Sequence, residues 1–474
     1  MKHKRSILLF IFVLASLAWN APASIGQEIE SLINQLDNED EDDSVRHNAS
    51  KRLAQNGAPA VPELVSVLPE ADLELALSIV ETLTLMGSDA ESAVSALIEA
   101  LRKPNFSVYR RKMFVDFHDS CVEALVEIGT PAVPALKDVL SDANAELRYH
   151  AARTLSNMGY KANPAAIALV PLLNDEYDKV RIAAASALGG MRSQPVPDIV
   201  INIKKQALER SIQTDDAMLD RAAETAIPDL MKMIGDESNS IRAAAVRALG
   251  TLGGAAAVPA LTVALKDRDD NVRTIAAITL GEIGFPANAA VPTLINKLKK
   301  GLYETEGIRV SVVQGLGGIG TPAAVSGLIE ALNDPSGFVR RMSITELARI
   351  GEPVDDIILL LMKTLADTDA DVRVEGSQAL GRIGVPAVPA LTEGLSHETL
   401  EVRIWSANAL SQIEGDIQVA EPVLIQALRD KDKDVRRYAA YALKKIGTPE
   451  AIKAAIPVLE KDDEPIMSTH EKSN

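Results

Sequence analysis

The chain has 474 residues and carries 66 Asp and Glu against 49 Lys and Arg, a net charge of −17. That balance repels nucleic-acid backbones and anionic membranes and favours neutral or basic partners. Aromatic residues are only 3% of the chain, and Cys121 is its one cysteine. The core must therefore be built from Leu, Ile, Val and Ala, and no internal disulfide can form.

Met1 to Ala23 stands apart. Lys2, Lys4 and Arg5 give a charged start, Ile7 to Trp19 an apolar run, and Ala21-Pro22-Ala23 an A-x-A site. This pattern predicts a cleaved secretory leader, since the apolar run is too short to span a membrane well. Its removal takes three positive charges and moves the net charge from −17 to −20. The expectation is an exported protein, periplasmic or extracellular, with no transmembrane segment once the leader is gone.

From about residue 25 a unit recurs every 30 to 38 residues or so, giving about thirteen helical hairpins. Ile25 to Leu36 reads as a capping helix. The acidic run Asp37 to Asp43 lacks the glycine a calcium loop needs at its sixth position, where Asp42 stands. It reads as a solvated connector, as do Asp367, Asp369 and Asp371. The third hairpin is longer than the rest by about ten residues, at Lys103 to Asp116. It brings Phe106, Tyr109, Arg110, Arg111, Lys112 and Phe114 into an acidic, aromatic-poor chain. Two readings stand there: a protruding basic–aromatic contact element, or a lengthened second helix whose aromatics fill the gap it makes.

Gln194 to Ser238 is degenerate, a bend or seam, with first helices starting at Val196-Pro197 and Ile227-Pro228. Regular repeats resume at Asn239 and continue to Gly447. Ala451 to Leu459 is a lone helix, and the polar tail from Lys461 is expected to lack fixed structure. The chain thus divides into a leader (1–23), N-terminal repeats (24–195), a degenerate region (196–238), regular C-terminal repeats (239–460) and a tail (461–474).

Ala256 to Gly284 shows the unit most clearly. Pro259 suits the first turn of a helix, where an N–H is not needed. Val258, Leu261, Ala264 and Leu265 then recur at helical spacing. Lys266 to Asn271 breaks the pattern, with Asp270 or Asn271 able to cap the next helix. Val272, Ala276, Leu280 and Ile283 share one side of that helix, and Gly284 closes it ahead of Pro286. Ala276, Ala277 and Gly281 leave room for close helix approach. One hairpin cannot bury its face alone, so the units must stack.

The pattern P-A-V-P-A-L…V-R-x-x-A-A-x-A-L-G-x-I-G closely resembles the HEAT repeat, in the short bacterial form also seen in phycobilin lyase subunits. The V-R pair recurs at Val45-Arg46, Val180-Arg181, Val272-Arg273, Val339-Arg340, Val372-Arg373, Val402-Arg403 and Val435-Arg436. Leu147-Arg148, Ile241-Arg242 and Ile308-Arg309 are variants, and Phe117-His118 takes the place in the third hairpin. Closing glycines recur at Gly57, Gly87, Gly129, Gly159, Gly253, Gly320, Gly351, Gly384 and Gly447. The resemblance implies an all-α, right-handed α-α superhelix, a HEAT-like solenoid. It also implies that Arg273, Arg340, Arg373, Arg403 and Arg436 are structural, bonded to aspartates of adjoining repeats.

Other motifs weigh little. Gly315 to Gly320 satisfies G-x-G-x-x-G, but these glycines end a helix in frame with Leu280 to Gly284, whereas a dinucleotide site needs them between a strand and a helix. Deoxyhypusine hydroxylase, a wider relative, holds two irons with paired His-Glu motifs. Here only His397-Glu398 and His470-Glu471 occur, where four pairs would be needed. His47, His118 and His150 have no Glu beside them. No cofactor, metal or catalytic set is expected.

In such arrays second helices line the concave face. Counting from the valine of V-R, positions 2, 3, 6 and 10 point away from the first helix. Near the end these are Ile404, Trp405, Asn408 and Gln412, then Arg437, Tyr438, Tyr441 and Lys445; Tyr149-His150 is an earlier pair. Trp405, Asn408, Arg437, Tyr438 and Tyr441 are candidate partner-binding residues, with repeat-to-repeat packing as the alternative. Tyr109, Arg110, Arg111 and Phe114 form a second candidate set. The resulting reading is an exported, non-catalytic protein-binding scaffold; a HEAT-like lyase or hydroxylase, or a structural envelope component, are the alternatives.

Overall fold

The structure is a computed structural model that describes residues 23–37, 43–110, 113–191, 205–299, 304–351 and 354–461. The leader up to residue 22, most of the acidic run, Arg111, residues 192–204 and the tail from 462 lie outside the described residues. The chain forms two compact units that divide between Gly253 and Gly254, beyond the degenerate stretch. Both are α-solenoids in which short first helices pack on longer second helices.

The clearest repeat folds largely as its sequence directs. Val258, Leu261, Ala264 and Leu265 are buried, and so are Val272, Ala276 and Leu280 of the second helix Asp270–Ile283. Ile283 is only half-buried. The cap is Asp269, whose carboxylate accepts from the N–H groups of Asn271 and Val272 at 3.0 and 3.2 Å. Asp270 and Asn271 are not the cap because the helix begins one residue earlier than the polar run suggests. Gly284 closes the turn with φ 72°. In the preceding repeat the positive φ falls on Gly254 (46°) rather than Gly253, and it interrupts the run Asn239–Ala264. That run is the one described helix long and apolar enough to cross a membrane, but 61% of its apolar window is buried in the fold.

Close helix approach is explicit in the second unit. A Cβ added to Gly315 would sit 2.4 Å from the Ala277 carbonyl oxygen, and one on Gly318 2.4 Å from that of Gly281. The glycines of the G-x-G-x-x-G string are thus consumed by packing Glu306–Ile319 against Asp270–Ile283.

The V-R arginines form the expected rungs. From Arg148 onward each sends Nη1 to carbonyls just ahead of its own second helix, as Arg340 does to Asp334 at 2.8 Å. Its other guanidinium nitrogens reach an acid of the next repeat: Arg148 to Asp175 at 2.8 and 2.9 Å, Arg340 to Asp367 at 2.8 and 2.6 Å. Arg309–Asp334 and Arg403–Asp430 repeat the arrangement. Arg273 uses Glu304 instead. Burial alone would raise the Asp367 carboxyl, but the Arg340 guanidinium and the Asp369 N–H hold it below its usual range. Arg373 departs from this pattern, with its Nε buried without a partner.

Two stretches differ from expectation. Ile227-Pro228 does not start a helix: Lys205–Met233 runs through Pro228 as one helix. Leu219, Ala222, Ala223, Ala226, Leu230 and Met233 are all buried, so the apolar stripe continues at 3–4 spacing across the proline and packing holds the helix. The insert is not a lengthened helix. Ser107–Arg110 (β1) and Met113–Asp116 (β2) pair as an antiparallel hairpin, with Tyr109 opposite Phe114 and Arg110 opposite Met113. Its β-branched and aromatic residues suit strands, and its base is fixed where Phe106 stacks on buried Phe117, ring centroids 4.6 Å apart.

Candidate functional site

In the second unit, three consecutive second helices bring the C-terminal candidates together. Ala370–Ile383, Leu400–Gln412 and Lys433–Ile446 carry Ser377, Asn408 and Tyr438 respectively. The Asn408 Oδ1 accepts from Ser377 Oγ at 2.8 Å and from Gln412 Nε2 at 2.5 Å. Asn408 also acts on the nearby Tyr438 hydroxyl, favouring its ionised form. Burial, then Asp434, raises the Tyr438 phenol above its ordinary value, while Arg437 opposes this. The hydroxyl is therefore a neutral hydrogen-bonding group at physiological pH. Trp405, Asn408, Arg437 and Tyr438 are half-buried and Tyr441 is 37% exposed, so the network fixes a surface that remains open.

The other candidate set lies on the hairpin of the first unit. Tyr109 and Arg110 are on β1 and Phe114 on β2, while Arg111 falls outside the described residues. The hairpin stands over something the sequence did not indicate. Between its base and the second helices Phe117–Ile128, Ala145–Met158 and Asp178–Gly190 is a pocket of about 470 Å³. Its walls include Asn105, Asp116, His118, Tyr149, His150 and Arg153.

His118 occupies the arginine position of V-R and does half of that arginine's work. Its Nε2 meets the Lys103 carbonyl at 3.0 Å, while the rung to Asp142 is supplied by Arg102, from the other side of the insert. The His118 Nδ1 is thereby left for His150 Nε2, 3.1 Å away, with the two rings edge-on. Burial, then His118 and Arg153, lower the His150 imidazole to about 4. At the rim Arg153 pairs with Asp119, and Lys179 lies 3.8 Å from Glu146. Among the described residues no three His, Cys, Asp or Glu side chains gather as metal ligands.

A family profile described as HEAT repeats matches residues 29–114, 116–189, 227–305, 291–362, 358–421 and 416–470. The chain belongs to the HEAT-repeat family. Phycocyanobilin lyase subunit alpha of Picosynechococcus sp. is 33% identical over 153 residues, covering 30% of this chain and 56% of that protein. Deoxyhypusine hydroxylase of Neurospora crassa is 37% identical over 114 residues, 22% of this chain and 35% of that protein. The match thus spans about half the length of the lyase subunit and a third of the hydroxylase. Among solved structures, importin beta superposes with a TM-score of 0.51 at 14% identity, over 88% of this chain and 61% of that one. That likeness is one of fold.

Within the HEAT frame, two of the missed residues were signalled. Phe117-His118 breaks the V-R rule, and Tyr149-His150 sits at outward positions one repeat later. Arg102 had no signal, because it replaces a rung from outside the motif.

Proposed function

We propose that this chain is an exported, non-catalytic HEAT-repeat scaffold that holds a protein partner on its second-helix face. The observation that carries the reading is the Ser377–Asn408–Gln412 network, which also holds the Trp405 carbonyl. These hydrogen bonds join two repeats and restrain the polar side chains before a partner arrives, which lowers the ordering cost of binding. Aromatic and arginine side chains carry most of the energy at protein interfaces, and Arg437 flanks this set. The net charge of −17 suits a neutral or basic partner. The charged, apolar and A-x-A segments of Met1 to Ala23 support export.

The test is partner capture from periplasm and culture medium with the wild-type chain, Trp405→Ala and Tyr438→Ala. The expected result is a partner retained by wild type and lost by both variants; capture indifferent to both substitutions would remove this surface from consideration. Amino-terminal sequencing of the exported protein should begin at Ser24. The stretch shared with the lyase subunit and the hydroxylase favours a second reading, an enzyme or enzyme subunit of that type. Bound iron or a coloured chromophore in the purified protein would establish it over the scaffold.

A further inference from the structure

Pro449–Lys461 is a first helix with no second helix after it among the described residues. It lines up with earlier first helices at Ala290-Val291, Ala324-Val325, Ala387-Val388 and Ala451-Ile452. Inside the array this position is covered: Val291 and Val388 are 1% exposed and Val325 8%. First helices of adjoining repeats lie side by side, as Val291–Lys299 does against Pro322–Ala331. Ile452 is instead 42% exposed, and Ile456, one turn on, 45%. Half-buried Leu459 continues the stripe at 3–4 spacing.

The missing cover is not a further repeat in the same frame. Nine residues after the valine of V-R stand Gly281, Gly381 and Ser411, where the next second helix comes close. A Cβ on Gly281 would lie 2.8 Å from the Gly315 Cα. In Lys433–Ile446 that place is held by exposed Lys444, which keeps another second helix from packing as closely.

The stripe carries a charge pattern that fits a copy of itself. Lys453 and Glu460 are both exposed and seven residues apart, so they share one flank of the helix beside Ile456. When two copies of a helix pack antiparallel across a two-fold axis, each residue meets the one equally far on the other side of that axis. With Ile456 against Leu459 of the second copy, Lys453 comes beside Glu460 of the second copy, and the symmetry repeats both contacts. Apolar groups then cover apolar groups, and each cation faces an anion.

We propose that Pro449–Lys461 is a dimerisation helix that packs antiparallel on the same helix of a second copy. One helix pair is smaller than a standard interface of about 1,600 Å², so the dimer is weak, with a dissociation constant of roughly 10–100 µM. The contact uses neither Trp405 nor Tyr438 and stands apart from the partner surface proposed above.

The test is sedimentation equilibrium of the purified protein over a dilution series. Wild type should dimerise, and Trp405→Ala should dimerise equally well. Ile456→Glu should weaken the dimer about tenfold or more, by placing a carboxylate in the apolar seam. Lys453→Glu and Glu460→Lys should each weaken it about tenfold, since either sets two like-charge contacts across the axis. Mixing these two variants should restore a heterodimer of wild-type strength, because every facing pair is again opposite in charge. Circular dichroism checks that the variants fold; should Ile456→Glu not fold, the two charge variants decide. The proposal is overturned if wild type is still a monomer at about 1 mM, if folded Ile456→Glu associates as wild type does, or if the mixture is no stronger than its components. A monomeric wild type that associates once Ile466→Ser and Met467→Ser are introduced would assign the stripe to the chain's own tail, and the proposal would fail.

Discussion

Substituting His397→Asp should stabilise the chain. In the ladder, each acceptor aspartate also takes a backbone N–H two residues on, as Asp430 takes that of Asp432 at 2.9 Å. Its own carbonyl receives the following arginine, as Asp430 receives Arg436 at 2.9 Å. His397 does both: its Nδ1 accepts from the Thr399 N–H, and its carbonyl receives Arg403, each at 3.1 Å. It stands in an aspartate's place, and Arg373 of the preceding repeat has a buried, unpartnered Nε. An unsatisfied buried donor costs about 1–3 kcal/mol, and a charge-assisted bond contributes about 1.5–3 kcal/mol. Ordering and desolvating the new carboxylate offsets part of this, leaving a net gain of roughly 1–2 kcal/mol. The assay is denaturant unfolding, read as a raised midpoint at unchanged slope. A cycle with Arg373→Met isolates the pair, because His397→Asp should do nothing once the guanidinium is gone. Equal effects in both backgrounds would refute the reasoning.

Gly315→Ala should cost about 1–3 kcal/mol or more, because its Cβ would lie 2.4 Å from a backbone oxygen and the helices would have to separate. Gly307→Ala, in the same helix but with nothing within 4 Å, should instead stabilise by about 0.5–1 kcal/mol; thermal unfolding of both variants checks the contrast. Leu280 is 0% exposed, so Leu280→Ala should cost about 2–5 kcal/mol, and a change below about 0.5 kcal/mol would show that it is not core. His150 falls from an ordinary 6.5 to about 4 on folding, so the unfolded chain takes up its proton first. Its contribution is present above pH 6.5 and is lost as the pH falls toward 4, by about 3 kcal/mol. Unfolding at stepped pH should show this limb in wild type and not in His150→Phe.

The solenoid was legible because its rules are written repeatedly. Val272, Leu280 and Gly284 each have counterparts at the same offset in other repeats, so period and punctuation identify the hairpin. What occurs once could not be read that way. The strands at Ser107–Arg110 and Met113–Asp116 have no second copy to set a frame, and their residues fit equally well filling a gap beside a helix. Pro228 reads as a helix start wherever one looks only at the proline. The buried stripe from Leu219 to Met233 overrides it, and that stripe depends on packing partners the sequence does not display. For the candidate residues, helical offset placed Trp405, Asn408 and Tyr438 on adjacent helices, but their hydrogen-bonding needed coordinates.

Two histidines break the arginine–aspartate ladder, and they break it differently. His397 replaces an acceptor and nothing compensates, so Arg373 is left with a buried nitrogen unmet. His118 replaces a donor, and Arg102, just ahead of the insert, holds Asp142 in its stead. The ladder at that repeat is kept intact by other means, so stability does not demand the histidine. What the exchange achieves is to release one imidazole edge toward His150 and leave a pocket behind it. The exchange therefore keeps the rung and trades a guanidinium for a buried imidazole pair, whose outer atom is shut away from the pocket beside it.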